Sequence, residues 1–151
     1  MKKIFAIVLT VFLMCIASNA RAYDFTAKAP TGQTLSFFIF NGVVGVWDME
    51  EYSADQKELV IPSTVKYHGY TYKVTSICGG FDRHNTLTSV TIPNTITKIP
   101  YGTFLYCENL NSVTLPNSIT EIDDRAFKGC TSLTSITIPN SVKKIDLWGV
   151  L

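Results

Sequence analysis

The sequence lacks the short motifs by which catalytic and metal sites are usually recognised. It contains no G-x-S-x-G, no phosphate-binding glycine loop and no cysteine–histidine pair with an orienting carboxylate. Its four cysteines show no C-x-x-C spacing, so a zinc site is not indicated. We therefore predict a protein that is not an enzyme and that has no catalytic residue, no metal and no cofactor.

An excess of charge of one sign is also lacking. Thirteen Lys and Arg residues stand against twelve Asp and Glu residues. If the segment 1–22 is removed, as argued below, Lys2, Lys3 and Arg21 go with it and ten basic residues face the same twelve acidic ones. No basic cluster remains, so nucleic acid and anionic membrane surfaces are not predicted partners.

Long apolar runs are absent beyond residue 22, so no membrane span is predicted after that point. Before it, Lys2 and Lys3 precede the apolar run 4–17, and Ala20-Arg21-Ala22 offers a small-x-small cleavage site. This pattern is typical of a secretory signal peptide. We expect residues 1–22 to be removed and the protein to be secreted or held at the cell surface. An uncleaved membrane anchor is the alternative.

What the sequence does contain is a 23-residue repeat. The units are 87–109, 110–132 and 133–151, and the last unit stops at its nineteenth residue. A fixed period of this length indicates stacked structural units. The equivalent positions are Leu87, Leu110 and Leu133; Val90, Val113 and Ile136; Ile92, Leu115 and Ile138; Pro93, Pro116 and Pro139; Ile99, Ile122 and Ile145; Phe104 and Phe127; and Cys107 and Cys130.

Each unit begins with L-x-S-V-T-I-P or a close variant, which alternates as a β-strand does. Val90 and Ile92 face one side of the strand, whereas Ser89 and Thr91 face the other. Pro93 cannot donate a ladder hydrogen bond, so it ends the strand. Because every unit runs in the same direction, the strands of neighbouring units must pair in parallel. A single unit buries too little apolar surface to be stable, so about three are needed.

The complete pattern, L-x-x-V-x-I-P-x-S-I-x-x-I-x-x-x-A-F-x-x-C, resembles the leucine-rich repeat of BspA-like bacterial surface proteins. The residues that carry the resemblance are Leu110, Val113, Leu115, Pro116, Ser118, Ile119, Ile122, Ala126, Phe127 and Cys130, with their equivalents one repeat to either side. The resemblance implies a mainly β fold, namely a short leucine-rich repeat solenoid with parallel strands. The crossover rule makes this solenoid right-handed. The resemblance also implies an exported or cell-surface protein with an adhesive or partner-binding role.

Residues 23–58 are predicted to form an N-terminal β-hairpin cap. The segments 33–40 and 43–47 are rich in apolar and aromatic residues, and Asn41-Gly42 between them is a strong hairpin signal. Such a hairpin would cover the open end of the repeat core. The alternative is an exposed aromatic binding patch. Both interpretations rest on Phe37, Phe38, Phe40 and Trp47.

The repeat region is predicted to cover 59–151, with an irregular first unit at 59–86. Leu59-Val60-Ile61-Pro62 imitates the strand of the later units. Tyr67-His68-Gly69-Tyr70 is predicted to be the tip of an inserted hairpin.

The cysteine positions of the repeat are predicted to lie in the core. His84 falls in the position that Cys107 and Cys130 occupy in later units, and we interpret it as a packing residue or as one displaced to the surface, rather than as a ligand. With the signal peptide removed, Cys78 is the third cysteine. We predict that Cys107 and Cys130 are buried thiols, with a disulfide between them as the alternative.

The outward side of the repeat strands is the candidate binding site. Parallel stacking places six hydroxyl side chains in two rows on one face of the sheet. Stacked-repeat proteins use such faces for binding, although hydroxyl rows also simply keep a sheet soluble. The predicted partner is a protein or a glycan at a cell surface. The six residues are Ser89, Thr91, Ser112, Thr114, Ser135 and Thr137.

A second hypothesis comes from the third unit, in which Gly149 and Val150 stand where Ala126 and Phe127 stand in the second. Either Trp148 and its neighbours cover the last strand, or the array is a shortened one. In the second case the chain is a truncated repeat fragment with a structural role and no ligand of its own. Its open strand edge would then associate edge to edge with another copy.

Overall fold

The computed structural model describes residues 24–40, 42–49 and 57–146. Within these ranges the chain forms eleven β-strands and no helix. The predicted signal peptide, Asn41 of the predicted turn and Trp148 of the predicted plug lie outside the described residues. The strands are β1 Phe25–Lys28, β2 Thr34–Phe40, β3 Val43–Met49, β4 Glu58–Val60, β5 Thr64–Tyr67, β6 Tyr70–Ile77, β7 Ser89–Thr91, β8 Lys98–Ile99, β9 Ser112–Thr114, β10 Glu121–Ile122 and β11 Lys144–Ile145.

A five-stranded sheet forms the N-terminal part of the described chain, in the order β1-β2-β3-β6-β5. The strands on either side of Asn41-Gly42 pair antiparallel, with Phe40 opposite Val43. Gly45 in β3 allows close packing, because the ring of Phe38 and the Sγ of Cys78 come within 2.5 and 2.7 Å of where a Cβ would lie. Strand β3 also pairs in parallel with β6, so this sheet contains strands from both sides of the predicted boundary at residue 58.

The inserted hairpin of the first unit is present as predicted. Strands β5 and β6 pair antiparallel, with Tyr67 opposite Tyr70. The two residues between them have positive φ angles, 48° at His68 and 82° at Gly69. Positive φ at both central positions is the geometry that fits a two-residue turn to the twist of a hairpin.

Two parallel ladders connect the successive units. The first contains β4, β7 and β9, and pairs Leu59 with Val90 and Val90 with Val113. The second contains β8, β10 and β11, and Ile122 is paired there with both neighbouring isoleucines. Between units 87–109 and 110–132, both ladders keep an offset of one full repeat. The sequence pattern predicted the first ladder but assigned no strand to the second.

The prediction of a third outward strand at 135–137 is wrong. The sheet ends at β9, and residues 133–139 are not in a strand. In the described part of the chain, no backbone hydrogen bond joins residues 134–138 to β9. Ile136 and Ile138 still pack against the core. Residues 134–138 are therefore attached to the preceding unit by apolar packing and not by backbone hydrogen bonds of a β-ladder.

The core runs continuously through the units along the direction of stacking. Leu87, Leu110 and Leu133 are all buried. Three phenylalanine rings stack beside them, with centroid distances of 5.9 Å from Phe81 to Phe104 and 5.5 Å from Phe104 to Phe127. Val90 is buried, and Val113 and Ile136 pack against the same cluster. The equivalent side chains therefore share one interior.

Candidate binding face

Four of the six predicted hydroxyl residues lie together on strands β7 and β9. Ser89 pairs with Ser112 and Thr91 with Thr114, so their side chains form two in-register rows. Ser89 is half-buried and the other three are exposed. We call these four residues the hydroxyl face. The alternation of the strand explains it, because the intervening Val90 is turned inward and is buried.

The remaining two predicted residues, Ser135 and Thr137, are exposed but do not lie on a strand. The hydroxyl rows are therefore formed by the strands of two repeat units, and the third unit adds no strand to them. On the other side, β4 continues the ladder and places Glu58 beside Ser89 and Val60 beside Thr91. The hydroxyl face is thus bordered by one carboxylate and one aliphatic side chain.

Hydroxyl groups suit recognition by hydrogen bonding, because each of them both donates and accepts. None of the hydroxyl groups of Thr91, Ser112 and Thr114 has a hydrogen-bond partner among the described residues. Strand geometry places the two members of each row about 4.8 Å apart, from one unit to the next. The face therefore offers regularly spaced, uncharged donors and acceptors to a ligand.

The buried thiols do not supply a nucleophile. Cys107 and Cys130 are buried free thiols, as the sequence pattern predicted. Burial raises the pKa of Cys107 to about 12 and that of Cys130 to about 11, so both remain protonated at neutral pH. Each thiol donates to a backbone carbonyl of the preceding unit, Cys107 to Phe81 at 2.9 Å and Cys130 to Phe104 at 3.1 Å.

His84 takes the same position in the first unit and is also buried, which is the first of the two alternatives. Its Nε2 lies 3.2 Å from the carbonyl oxygen of Gly80. Its ring is 6.2 Å from that of Phe81. These contacts fit a packing role.

No group of three or more His, Cys, Asp or Glu side chains within the described ranges is placed to hold a metal ion. Helices capable of crossing a membrane do not occur among the described residues.

The second parallel ladder carries a set of charged side chains that pair with one another. Lys98 bridges Glu121 at 3.2 Å and Asp123 at 2.9 Å. Burial opposes the ammonium charge of Lys98, but the hydrogen bonds to the two carboxylates outweigh it and raise the pKa of Lys98. On the next unit Lys144 stands opposite Glu121 and bridges Asp146 at 2.9 Å. These groups pair with one another, so they are not a free binding site.

An aromatic and basic pair lies on the turns that follow the second ladder. The ring of Tyr101 is exposed, and Arg125 Nη1 donates to the Tyr101 hydroxyl at 3.0 Å. The guanidinium also lies over the ring, with its carbon 5.7 Å from the centroid. The repeat period does not indicate this pair, because Tyr101 and Arg125 are separated by one position more than the repeat length. Only the turn geometry brings them together.

Stacked 23-residue units with two parallel ladders and one shared core define a leucine-rich repeat protein. The profile of the BspA-type leucine-rich repeat region matches residues 75–148 in six copies. A solved leucine-rich repeat protein from Bacteroides capillosus is 32% identical, with a TM-score of 0.69, and the match covers 82% of this chain and 88% of that one. The chain belongs to the BspA-type leucine-rich repeat family.

Other solved structures share the fold. A leucine-rich repeat protein from Bacteroides ovatus is 28% identical with a TM-score of 0.72, and the match covers 83% of this chain but only 32% of that one. A leucine-rich repeat protein from T. pallidum is 21% identical with a TM-score of 0.60, over 85% of this chain and 53% of that one. The chain thus spans about a third and about half of the lengths of these two proteins. A comparison with curated proteins gives no match.

Proposed function

We propose that the chain is an exported, surface-associated protein that binds a protein or glycan partner and catalyses no reaction. The observation that carries the proposal is the hydroxyl face, which presents exposed hydrogen-bonding groups in register on a rigid sheet. Membership of a family of repeat proteins supports a binding role, because stacked repeats create extended surfaces. The signal-peptide pattern of residues 1–22 supports export.

The architecture we propose is a short right-handed solenoid covered at its first turn by the N-terminal β-hairpin module. Contacts between the module and β4 support this arrangement. The buried Gln33 donates through Nε2 to the backbone carbonyl of Glu58. The backbone N–H of Val60 donates to the hydroxyl of Thr31 at 3.3 Å. Phe37 is fully buried in this module, and Phe38, Phe40 and Trp47 are half-buried, so none of the four is fully exposed, which favours a covering role over an exposed aromatic patch.

The proposed binding role is tested by capture from cell-surface extracts on the immobilised exported chain, residues 23–151. The triple substitution Thr91→Glu, Thr114→Glu and Thr137→Glu adds three negative charges to the predicted rows. We expect the captured partner to be lost, because burying an unpaired carboxylate at an interface carries a large desolvation cost. The measurement is the amount of each captured partner against the unsubstituted chain.

A matched control uses exposed threonines of the five-stranded sheet. Thr64→Glu, Thr71→Glu and Thr75→Glu add the same charge to strands β5 and β6. Capture should survive in this variant. Equal capture by the wild type and both triple variants would overturn the hydroxyl face as the binding site.

A second candidate function is edge-to-edge self-association. It is favoured by residues 134–138, whose backbone groups form no ladder in the described part of the chain. Unpaired backbone of this kind invites pairing with another chain. Sedimentation equilibrium of the exported chain tests it, and a monomer at all concentrations would exclude it.

A further inference from the structure

A polar groove crosses the starts of the parallel strands and has a volume of about 420 Å³. Lys57, Thr88 and Asn111 line it, and each of them stands one residue before a strand, namely β4, β7 or β9. Parallel strands begin at the same edge of their sheet, so residues from successive units meet there. We call this feature the strand-start groove.

The strand-start groove adjoins the hydroxyl face, because Ser89 follows Thr88 and Ser112 follows Asn111. Its lining comes from four successive turns, from Lys57 at one end to Ser132 at the other. With strands about 4.8 Å apart, this arrangement spans roughly 14 Å. The groove volume falls within the range of small-molecule sites, about 300–1,000 Å³. An elongated ligand of a few rings fits better than a single ring.

Every side chain that lines the groove in the described part of the chain ends in a polar, hydrogen-bonding group. The lining consists of three side-chain amides, three hydroxyls and one ammonium. Among the described residues that line the groove, none is aromatic, aliphatic or acidic. Two of the amides belong to Asn85 and Asn109 and the third to Asn111.

Several of these groups retain hydrogen-bonding capacity. Asn109 Nδ2 donates to the backbone carbonyl of Asn85 at 2.6 Å, which fixes this side chain in the groove. Thr88 is held in a similar way by a hydrogen bond to the carbonyl of Lys57 at 3.0 Å. The side chains of Asn85, Asn111 and Ser132 have no hydrogen-bond partner within the described ranges. A ligand can therefore bind to amides that are partly pre-positioned.

This composition selects among ligand classes. Protein interfaces are centred on buried aromatic and Arg anchors, which the groove lacks. Nucleic acids and polyphosphates need several cations, and Lys57 is the single cation in the described lining. An uncharged ligand rich in hydroxyls matches amides and hydroxyls, which both donate and accept.

We propose that the strand-start groove binds an uncharged oligosaccharide, whose hydroxyls exchange hydrogen bonds with Asn85, Asn109 and Asn111. The inference rests on the proposed binding function and names its ligand class. A peptide in the same groove is the competing outcome of the test.

The test is a ¹⁵N NMR titration of the exported chain with maltotriose, cellotriose and triacetylchitotriose. The side-chain amide signals of Asn85, Asn109 and Asn111 should shift with at least one trisaccharide. The double substitution Asn85→Ala and Asn111→Ala should weaken this binding about tenfold, because two hydrogen-bonding groups are lost.

The matched control is Asn94→Ala with Asn117→Ala, which removes two exposed asparagines of units 87–109 and 110–132 on the turns after the strands. Binding should be unchanged in this variant, and thermal unfolding compares the stability of both double variants. Asn111→Asp keeps the size of the side chain but removes its donors, so it should also weaken binding.

Three outcomes would overturn the inference. The first is the absence of any shift at millimolar trisaccharide, and the second is an equal loss of binding in both double variants. The third is a shift of the groove amides by a peptide library with none by sugars. If surface-extract capture still depends on Thr91 and Thr114 in these cases, the binding function stands and only the ligand class fails.

Discussion

At the scale of single residues, one buried position of the repeat is occupied by different polar side chains. Cys107 and Cys130 each donate to a backbone carbonyl of the unit before, whereas His84 contacts the carbonyl of Gly80 in its own unit. A buried carbonyl without a partner is costly, so a side chain that can donate a hydrogen bond is favoured at this position. The sequence pattern indicated burial at this position, but it gave no indication of the hydrogen bonds.

The raised pKa of the buried thiols predicts a loss of stability in alkaline solution. An unfolded thiol ionises near its ordinary pKa of 9.0, whereas folded Cys107 ionises only at about 12. The contribution of the buried Cys107 thiol to the free energy of unfolding is therefore fully present below pH 9.0. It is lost as the pH rises from 9.0 to about 12. In that window the free energy of unfolding should fall by about 1.4 kcal/mol per pH unit for this thiol.

The measurement is urea unfolding between pH 8 and 11 for the wild type and Cys107→Ala. Tyrosine and lysine titrations are common to both proteins, so the difference in slope isolates the thiol. The wild type should lose stability more steeply. Parallel curves would show that Cys107 ionises equally in the folded and unfolded chains.

At the scale of elements, hairpins were predictable and the return strands were not. His68-Gly69 forms a two-residue turn whose backbone geometry is local, and Asn41-Gly42 separates two strands that pair antiparallel, so the sequence alone indicates both hairpins. Strands β8, β10 and β11 contain two residues each. Two residues cannot show an alternating pattern, and these strands exist only because the neighbouring units supply hydrogen-bond partners.

The second ladder predicts a measurable coupling between Lys98 and Glu121. Both side chains are 42% exposed, so solvent screening limits the effect to about 0.2–1 kcal/mol. A double-mutant cycle with Lys98→Met and Glu121→Gln measures it by urea unfolding. The coupling should shrink at high salt.

Lys143→Met is the control for the loss of an exposed lysine next to the same ladder. Combined with Glu121→Gln it should show no coupling. A coupling of the same size in both cycles would mean that the cycle reports the change in net charge and not the ion pair between Lys98 and Glu121.

At the scale of the whole molecule, the shared core is the feature on which stability depends most. Phe104 is fully buried between the rings of Phe81 and Phe127. Phe104→Ala should lower the free energy of unfolding by about 3–5 kcal/mol, because it removes a large buried side chain and leaves a cavity. Denaturant unfolding gives the value.

Tyr70→Ala serves as the comparison, since Tyr70 is 69% exposed. Its cost should stay within about 0.5 kcal/mol. A cost below about 1 kcal/mol for Phe104→Ala would contradict a core that is continuous from unit to unit.

The sequence predicted the repeat, the direction of strand pairing and the inward-facing residues. The same period recurs at many positions, so the assignment does not depend on the secondary-structure preference of any single residue. It predicted four of the hydroxyl positions on strands and failed for Ser135 and Thr137. The pattern S-x-T recurs there, but pairing depends on backbone hydrogen bonds that a side-chain pattern does not report. The strand-start groove was missed because its lining recurs at equivalent repeat positions with changing residue types, Thr86, Asn109 and Ser132 at one position and Thr88 and Asn111 at another.

The offset of one full repeat that both ladders keep between units 87–109 and 110–132 limits how the length of this part of the chain can change. Excision of residues 110–132 would join equivalent points of adjacent turns, and Val90 would then meet Ile136 as it now meets Val113. Lys98 would meet Lys144 in place of Glu121, while Asp146 would take the position of Asp123. An excision within the ladders of these regular units that is not a whole multiple of 23 residues would turn buried side chains towards water. Insertions and deletions there are therefore expected to be tolerated in whole multiples of one turn.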